Sequence, residues 1–160
     1  FGSFTGLKMC YIGDGNNMAN SLIVGGLKVG MNVAVATPDG YKPDGEVLEF
    51  TKGYADKFVL ETDPFMAASG ADIVITDTWT SMGEEAEKEE RKKVFKDYQV
   101  NKQLLAAANA GAMVQHCLPA YRGQEITEEV FEEHADEIFN EAENRLHAQK
   151  AVMVKLMKKD

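Results

Sequence analysis

Cysteine, tryptophan, proline and histidine are all scarce here: two, one, four and three in 160 residues. Cys10 and Cys117 lie in apolar, strand-like surroundings with no CxxC spacing, so neither a disulfide framework nor a zinc ribbon is expected and a reducing cytoplasm is the natural setting. No histidine stands at ligand spacing from another, so no metal is expected, nor any cofactor. Positive charge is short as well. Seventeen Lys and Arg face 26 Asp and Glu, a net −9, which argues against a nucleic-acid or anionic-membrane partner. No apolar run is long enough to span a bilayer, and the start has no charged region followed by an apolar core and a cleavage site. Instead FGSFTGLKM leads almost at once into a strand, as expected of a piece of a longer protein. Phosphate-loop spacing, GxxxxGK[ST], is absent, and after Gly13 and Gly15 the third glycine of a dinucleotide fingerprint is replaced by Met18.

What remains is ordinary globular material, 44% hydrophobic and 27% charged, long enough for one core. Apolar runs alternate with helical stretches from end to end, the pattern of consecutive βαβ units. Strands are expected at 7–12, 32–36, 58–61, 72–76 and 112–115, with a further short one at Glu137 to Phe139. Helices are expected at 17–29, 45–55, 64–68, 84–97, 101–108, 127–134 and 141–158. The fold class that follows is α/β, a Rossmann-like three-layer α/β/α sandwich on a parallel sheet of about five strands. Gly25 and Gly26 are expected to let the first helix approach the sheet closely. The end of the last helix, AVMVKLM, is apolar nearly all round and calls for cover on both sides.

Parallel sheets bind ligands outside the carboxyl ends of their strands. Three segments fall there. GDGNN (residues 13–17) offers a helix N-terminus, with Asp14 or Asn16 as cap and the Asn17 amide free to reach a ligand. DTWTSMGEE (77–85) begins with Asp77, a carboxylate at the end of a buried strand that must find a donor or a cation. Ser81 and Glu84 in it form a capping box, and Met82 and Trp79 read as packing. The helix that follows carries Glu84/Lys88, Glu87/Arg91 and Glu89/Lys93 at i,i+4, a solvated charged face. HCLPAYRG (116–123) places His116 beside Cys117, but neighbours in a strand point to opposite faces, so their side chains are not expected to meet as a nucleophilic dyad. Arg145, early in the last helix, reads as a surface residue or, on the same rim, as a group that neutralises developing negative charge.

Together GDGNN, ATPDGYKPD (36–44), DTWTSMGEE, YQVN (98–101), HCLPAYRG and EAENR (141–145) resemble, in order and interval, the ornithine carbamoyltransferases over essentially the whole chain. HCLP and SMG separate that family from its aspartate-specific relatives, and putrescine-using relatives differ in the SMG loop. The resemblance implies transfer of a carbamoyl group from carbamoyl phosphate to the δ-amine of L-ornithine. By matching position, Asn17, Asp77, Ser81 and Met82 would hold ornithine. Cys117, Leu118 and Arg145 would meet the carbamoyl phosphate end, and Asp77, Cys117 and Arg145 would be the catalytic set. The family's STRT-type phosphate loop has no counterpart here. The expectation is therefore a single ornithine-binding domain over residues 1–160, including the C-terminal helix, with the carbamoyl phosphate domain outside this chain. The parent enzyme would be a trimer or a multiple of trimers, in arginine biosynthesis, the urea cycle or the arginine deiminase route. A putrescine-type domain and a non-catalytic amino-acid-binding module are the alternatives.

Overall fold

A computed structural model describes residues 1–80 and 85–158. Five parallel strands, β1 (Lys8–Ile12), β2 (Asn32–Ala36), β3 (Phe58–Glu61), β4 (Ile73–Thr76) and β5 (Met113–His116), lie in the order β3-β2-β1-β4-β5. Among the described residues seven α-helices join and flank them: α1 (Asn17–Lys28), α2 (Gly45–Thr51), α3 (Pro64–Ala68), α4 (Lys88–Phe95), α5 (Lys102–Leu105), α6 (Glu128–Glu133) and α7 (Ala135–Met157). Strand period two divides the core. Cys10, Ile12, Val74 and Val114 face α3, Phe95, Leu104, Phe131 and Ile138, while Met9, Tyr11, Val33 and Ile75 face Ala19, Ile23 and Leu27 of α1. This is the three-layer α/β/α arrangement read from the sequence.

The strands end level. Ile12 pairs with Ala36 and with Thr76, and Thr76 pairs with His116, so the turns after β1, β4 and β5 open on one rim. At the first of them Gly15 is required by contact. A Cβ there would sit 2.3 Å from the Lys42 carbonyl carbon, because the ATPDGYKPD segment runs across the turn and Tyr41 accepts from the Gly15 amide at 2.9 Å.

Two sequence expectations need correction. Only Gly26 meets the sheet, where a Cβ would approach Met9 Cε to 2.8 Å; Gly25 is exposed with nothing near it. The strand expected at Glu137 to Phe139 is the second turn of α7, because Ile138 packs into the core from a helix that starts at Ala135. Other differences are in extent. The helix expected over 45–55 finishes as a 3-10 turn at Lys52–Tyr54, and α5 closes after one turn. Glu84/Lys88 and the Ser81/Glu84 capping box fall outside the described residues.

Beyond Arg145, α7 leaves its apolar side chains open, with Val152 58% and Leu156 80% exposed. Among the described residues no helix is long and apolar enough to cross a membrane. Burying such a surface is favourable. The chain is therefore expected to self-associate as its concentration rises in light scattering, and Val152→Lys with Leu156→Lys is expected to hold it at monomer mass. Equal masses for both chains at all concentrations would contradict this.

Candidate functional site

Asp77 is the hub of the rim. It ends β4 with 7% exposure and meets three donors: the Thr78 amide at 2.7 Å on Oδ1, the Cys117 thiol at 3.0 Å on Oδ1, and Asn16 Nδ2 at 3.1 Å on Oδ2. Asn16 in turn caps α1, its Oδ1 accepting from the Met18 and Ala19 amides, and takes the Tyr11 hydroxyl at 3.4 Å. One asparagine thus fixes both the helix start and the carboxylate. A carboxylate has room for about four donors, so the three among the described residues leave Asp77 capacity for one more.

The Cys117 thiol is pushed well above its usual range, first by burial, then by donating to Asp77 and by the negative charge of Asp77 and Glu141. A thiol so placed is a hydrogen-bond donor with its lone pairs free, and at neutral pH it is no thiolate nucleophile. Alkylation of Cys117 at pH 8 is accordingly expected to be far slower than for an ordinary thiol. Asp77→Asn, which removes the charge, is expected to speed it about tenfold. Cys10, pushed up to about 12 by burial, does not compete. Peptide mapping of the adduct checks this, and an unchanged rate in Asp77→Asn would contradict it.

β5 ends at His116, which releases Cys117 from the strand's alternation. As expected, His116 and Cys117 do not pair as a dyad, since each has its own hydrogen-bond partners, but atoms of Asp77, His116 and Cys117 able to bind a cation lie within 4.8 Å of one another. The expectation of no metal rested on sequence spacing, which could not show this convergence. The three already have hydrogen-bond partners. His116 Nδ1 accepts the Leu118 amide at 2.9 Å, which sets the proton on Nε2, facing Glu125 Oε1 at 3.2 Å. Glu125 Oε1 also takes the Tyr121 amide. Both His116 and Glu125 are fully buried, and together they hold the turn 117–121, where Leu118 has φ 57.

Opposite Asp77 the GDGNN turn is tied down by Asp14, which pairs with Arg91 of α4. Arg91 Nε donates to the Trp79 carbonyl at 2.6 Å, and the guanidinium stacks 5.0 Å over Tyr41. The Glu87/Arg91 contact expected for a solvated face is present at 3.6 Å, but Arg91 itself is 3% exposed and joins two rim segments.

These segments enclose a cleft of about 350 Å³ lined by Asn17, Met18, Asp77, Thr78, Thr80, Cys117, Leu118, Pro119, Tyr121 and Arg145. Five of the seven site residues read from the sequence, Asn17, Asp77, Cys117, Leu118 and Arg145, are thus brought together. Ser81 and Met82 lie outside the described residues. Asn16, Arg91, Glu125 and Glu141 were missed as parts of the site. In the sequence Asn16 showed only as a helix cap and Arg91 only through its i,i+4 spacing from Glu87; Glu125 carried no signal beyond its position in the rim loop.

The profile of the family described as aspartate/ornithine carbamoyltransferase, Asp/Orn binding domain, matches residues 5–156. An ornithine carbamoyltransferase of Gloeobacter violaceus is 54% identical over 161 residues, covering 98% of this chain and 51% of its own length. One from Thermococcus kodakarensis is 49% identical with 98% and 51% covered. The solved ornithine carbamoyltransferase of Pyrococcus furiosus superposes with a TM-score of 0.87 at 47% identity, over 96% of this chain and 50% of that one. The chain spans about half the length of the curated relatives it matches.

Proposed function

The chain belongs to the aspartate/ornithine carbamoyltransferase family, as its Asp/Orn-binding domain, and from this premise we propose that residues 1–160 form the ornithine-binding half of an ornithine carbamoyltransferase. The observation that carries the reading is the Asp77 hub: a nearly buried carboxylate with spare acceptor capacity, facing a cleft that also holds a protonated thiol and a guanidinium. L-Ornithine brings two ammonium groups and one carboxylate to such a cleft. Asp77 and Asn17 hold the α-amino acid end, joined by Ser81 and Met82. Cys117, Leu118 and Arg145 meet the carbamoyl group.

In the reaction the neutral δ-amine attacks the carbamoyl carbon, the bond to phosphate oxygen breaks, and one amine proton passes to the departing phosphate, giving citrulline and hydrogen phosphate. Arg145 is suited to the negative charge that develops on the carbamoyl oxygen. Because the Cys117 thiol donates its hydrogen bond to Asp77, sulfur presents lone pairs to the amine and orients it for attack. The phosphate is held by the other half of the enzyme, which also builds the trimer or multiple of trimers. A reducing cytoplasm suits the two free thiols.

Calorimetric titration with L-ornithine tests the hub. Asp77→Asn keeps the shape and removes the charge, and is expected to weaken binding by about 1.5–3 kcal/mol, the value of a charge-assisted hydrogen bond. Unchanged affinity would remove Asp77 from the reading.

A further inference from the structure

β5 is the last strand on its side of the sheet, so alternate amides along it point to where a sixth strand would lie. The Met113 amide turns inward to the Asp72 carbonyl, which leaves those of Val114 and His116 facing out. α7 runs along that open edge. The Val114 amide donates to Glu137 Oε2 at 2.8 Å, and one helical repeat further on the Glu141 carboxyl group comes up against the His116 amide, whose pull opposes its protonation. Between these two contacts Ile138 is fully buried. The match is one of periods: four helical residues rise about 6.0 Å and two strand residues about 6.6 Å, so side chains at i and i+4 meet amides at j and j+2.

One more step in the same register pairs Arg145 with Leu118, and both line the cleft. No acceptor is needed at that step, because the Leu118 amide already donates to His116 Nδ1. There the helix carries a cation where its first two steps carry carboxylates. Glu141 occupies a costly position. Its Oε2 is buried with no hydrogen-bond partner among the described residues, and burial, followed by the negative charge of Asp77, favours its protonated form against the opposing pull of His116.

We propose that Glu137 and Glu141 stand in for a sixth strand along β5, and that Glu141 is thereby the positioning residue that sets Arg145 beside Leu118 at the mouth of the cleft. The register is a property of this chain alone; its catalytic meaning rests on the ornithine carbamoyltransferase reading.

Nuclear magnetic resonance of the labelled chain tests it through amide exchange and through cross-relaxation between the side chains of Arg145 and Leu118. In Glu141→Ala, exchange at His116 is expected to rise about tenfold while Val74 of β4 changes less than about twofold, and the Arg145–Leu118 contact is expected to be lost. Glu141→Gln keeps the acceptor and restores both signals; Glu141→Met fills the same space without an acceptor and restores neither. The Gln and Met pair carries the comparison even if the Ala variant does not fold. Rescue by Met equal to that by Gln, or an Ala variant indistinguishable from the parent, would overturn the proposal. No ligand enters these readouts, so they can fail while ornithine titration succeeds, and the reverse.

Discussion

Supplied with L-ornithine and carbamoyl phosphate, the purified chain is expected to form citrulline no faster than buffer does. Transfer between two bound substrates draws about 7–11 kcal/mol from holding them in one geometry. Under the proposed division this chain holds only one of them. Its cleft supplies a carboxylate, a thiol and one guanidinium, enough to receive an amino acid and to meet a carbonyl oxygen, but a phosphate carries more charge than one arginine balances. Addition of the carbamoyl phosphate half as a separate chain is the informative contrast. Citrulline from the 160-residue chain alone, clearly above the uncatalysed rate, would contradict the division of labour.

Replacing Arg91 with Met is expected to cost about 3–5 kcal/mol, because it breaks the buried ion pair with Asp14. The side chains of Arg91 and Asp14 are 4% and 11% exposed. Met keeps the length and much of the packing against Tyr41 and Phe95, so the loss reports the charge and the hydrogen bond to Trp79. For a domain of this size the melting temperature should fall by about 10 °C. The double replacement Arg91→Met with Asp14→Asn also removes the carboxylate that Arg91 balances and is expected to recover part of that. Thermal unfolding followed by circular dichroism gives both values. A single variant within about 1 kcal/mol of the parent would mean that the pair is as dispensable as a surface bridge.

Arg91 also shows why the rim was harder to read than the sheet. All five strands follow from apolar runs; β1, β2 and β4, buried on both faces, need little besides their own composition to declare themselves, while β3 and β5 at the edges are only partly buried. The i,i+4 spacing of Glu87 and Arg91 was visible too, but it describes a helix face without saying what lies opposite. The burial of Arg91 comes from Asp14 and Trp79, which precede it by 77 and 12 residues. Glu125 is a similar case: an acid in a polar loop reads as solvated until His116 and Tyr121 fold over it.

The misread start of α7 has the opposite cause. Ile138 and Phe139 between polar residues suggest a short strand by local composition, yet the helix wins because it buries Ile138 and offers Glu137 to the Val114 amide at once. His116 and Cys117 do stay out of a dyad, but the alternation rule behind that reading ends with β5, and it gives neither the Asp77 partner of Cys117 nor the Glu125 partner of His116. In each of these cases the sequence carried the side chain and the distant partner carried its role.

The most direct measurement of the central claim is a map of amide shifts in the labelled chain during titration with L-ornithine, with L-aspartate and putrescine as comparators. Saturable shifts are expected for L-ornithine at Asn17, Asp77, Thr78 and Cys117, weaker ones for putrescine, which lacks the α-carboxylate, and none for L-aspartate, which brings a carboxylate where ornithine brings its δ-amine. Equal shifts from L-aspartate, or shifts from L-ornithine confined to residues away from the cleft, would contradict the assignment of this chain as an ornithine-binding domain.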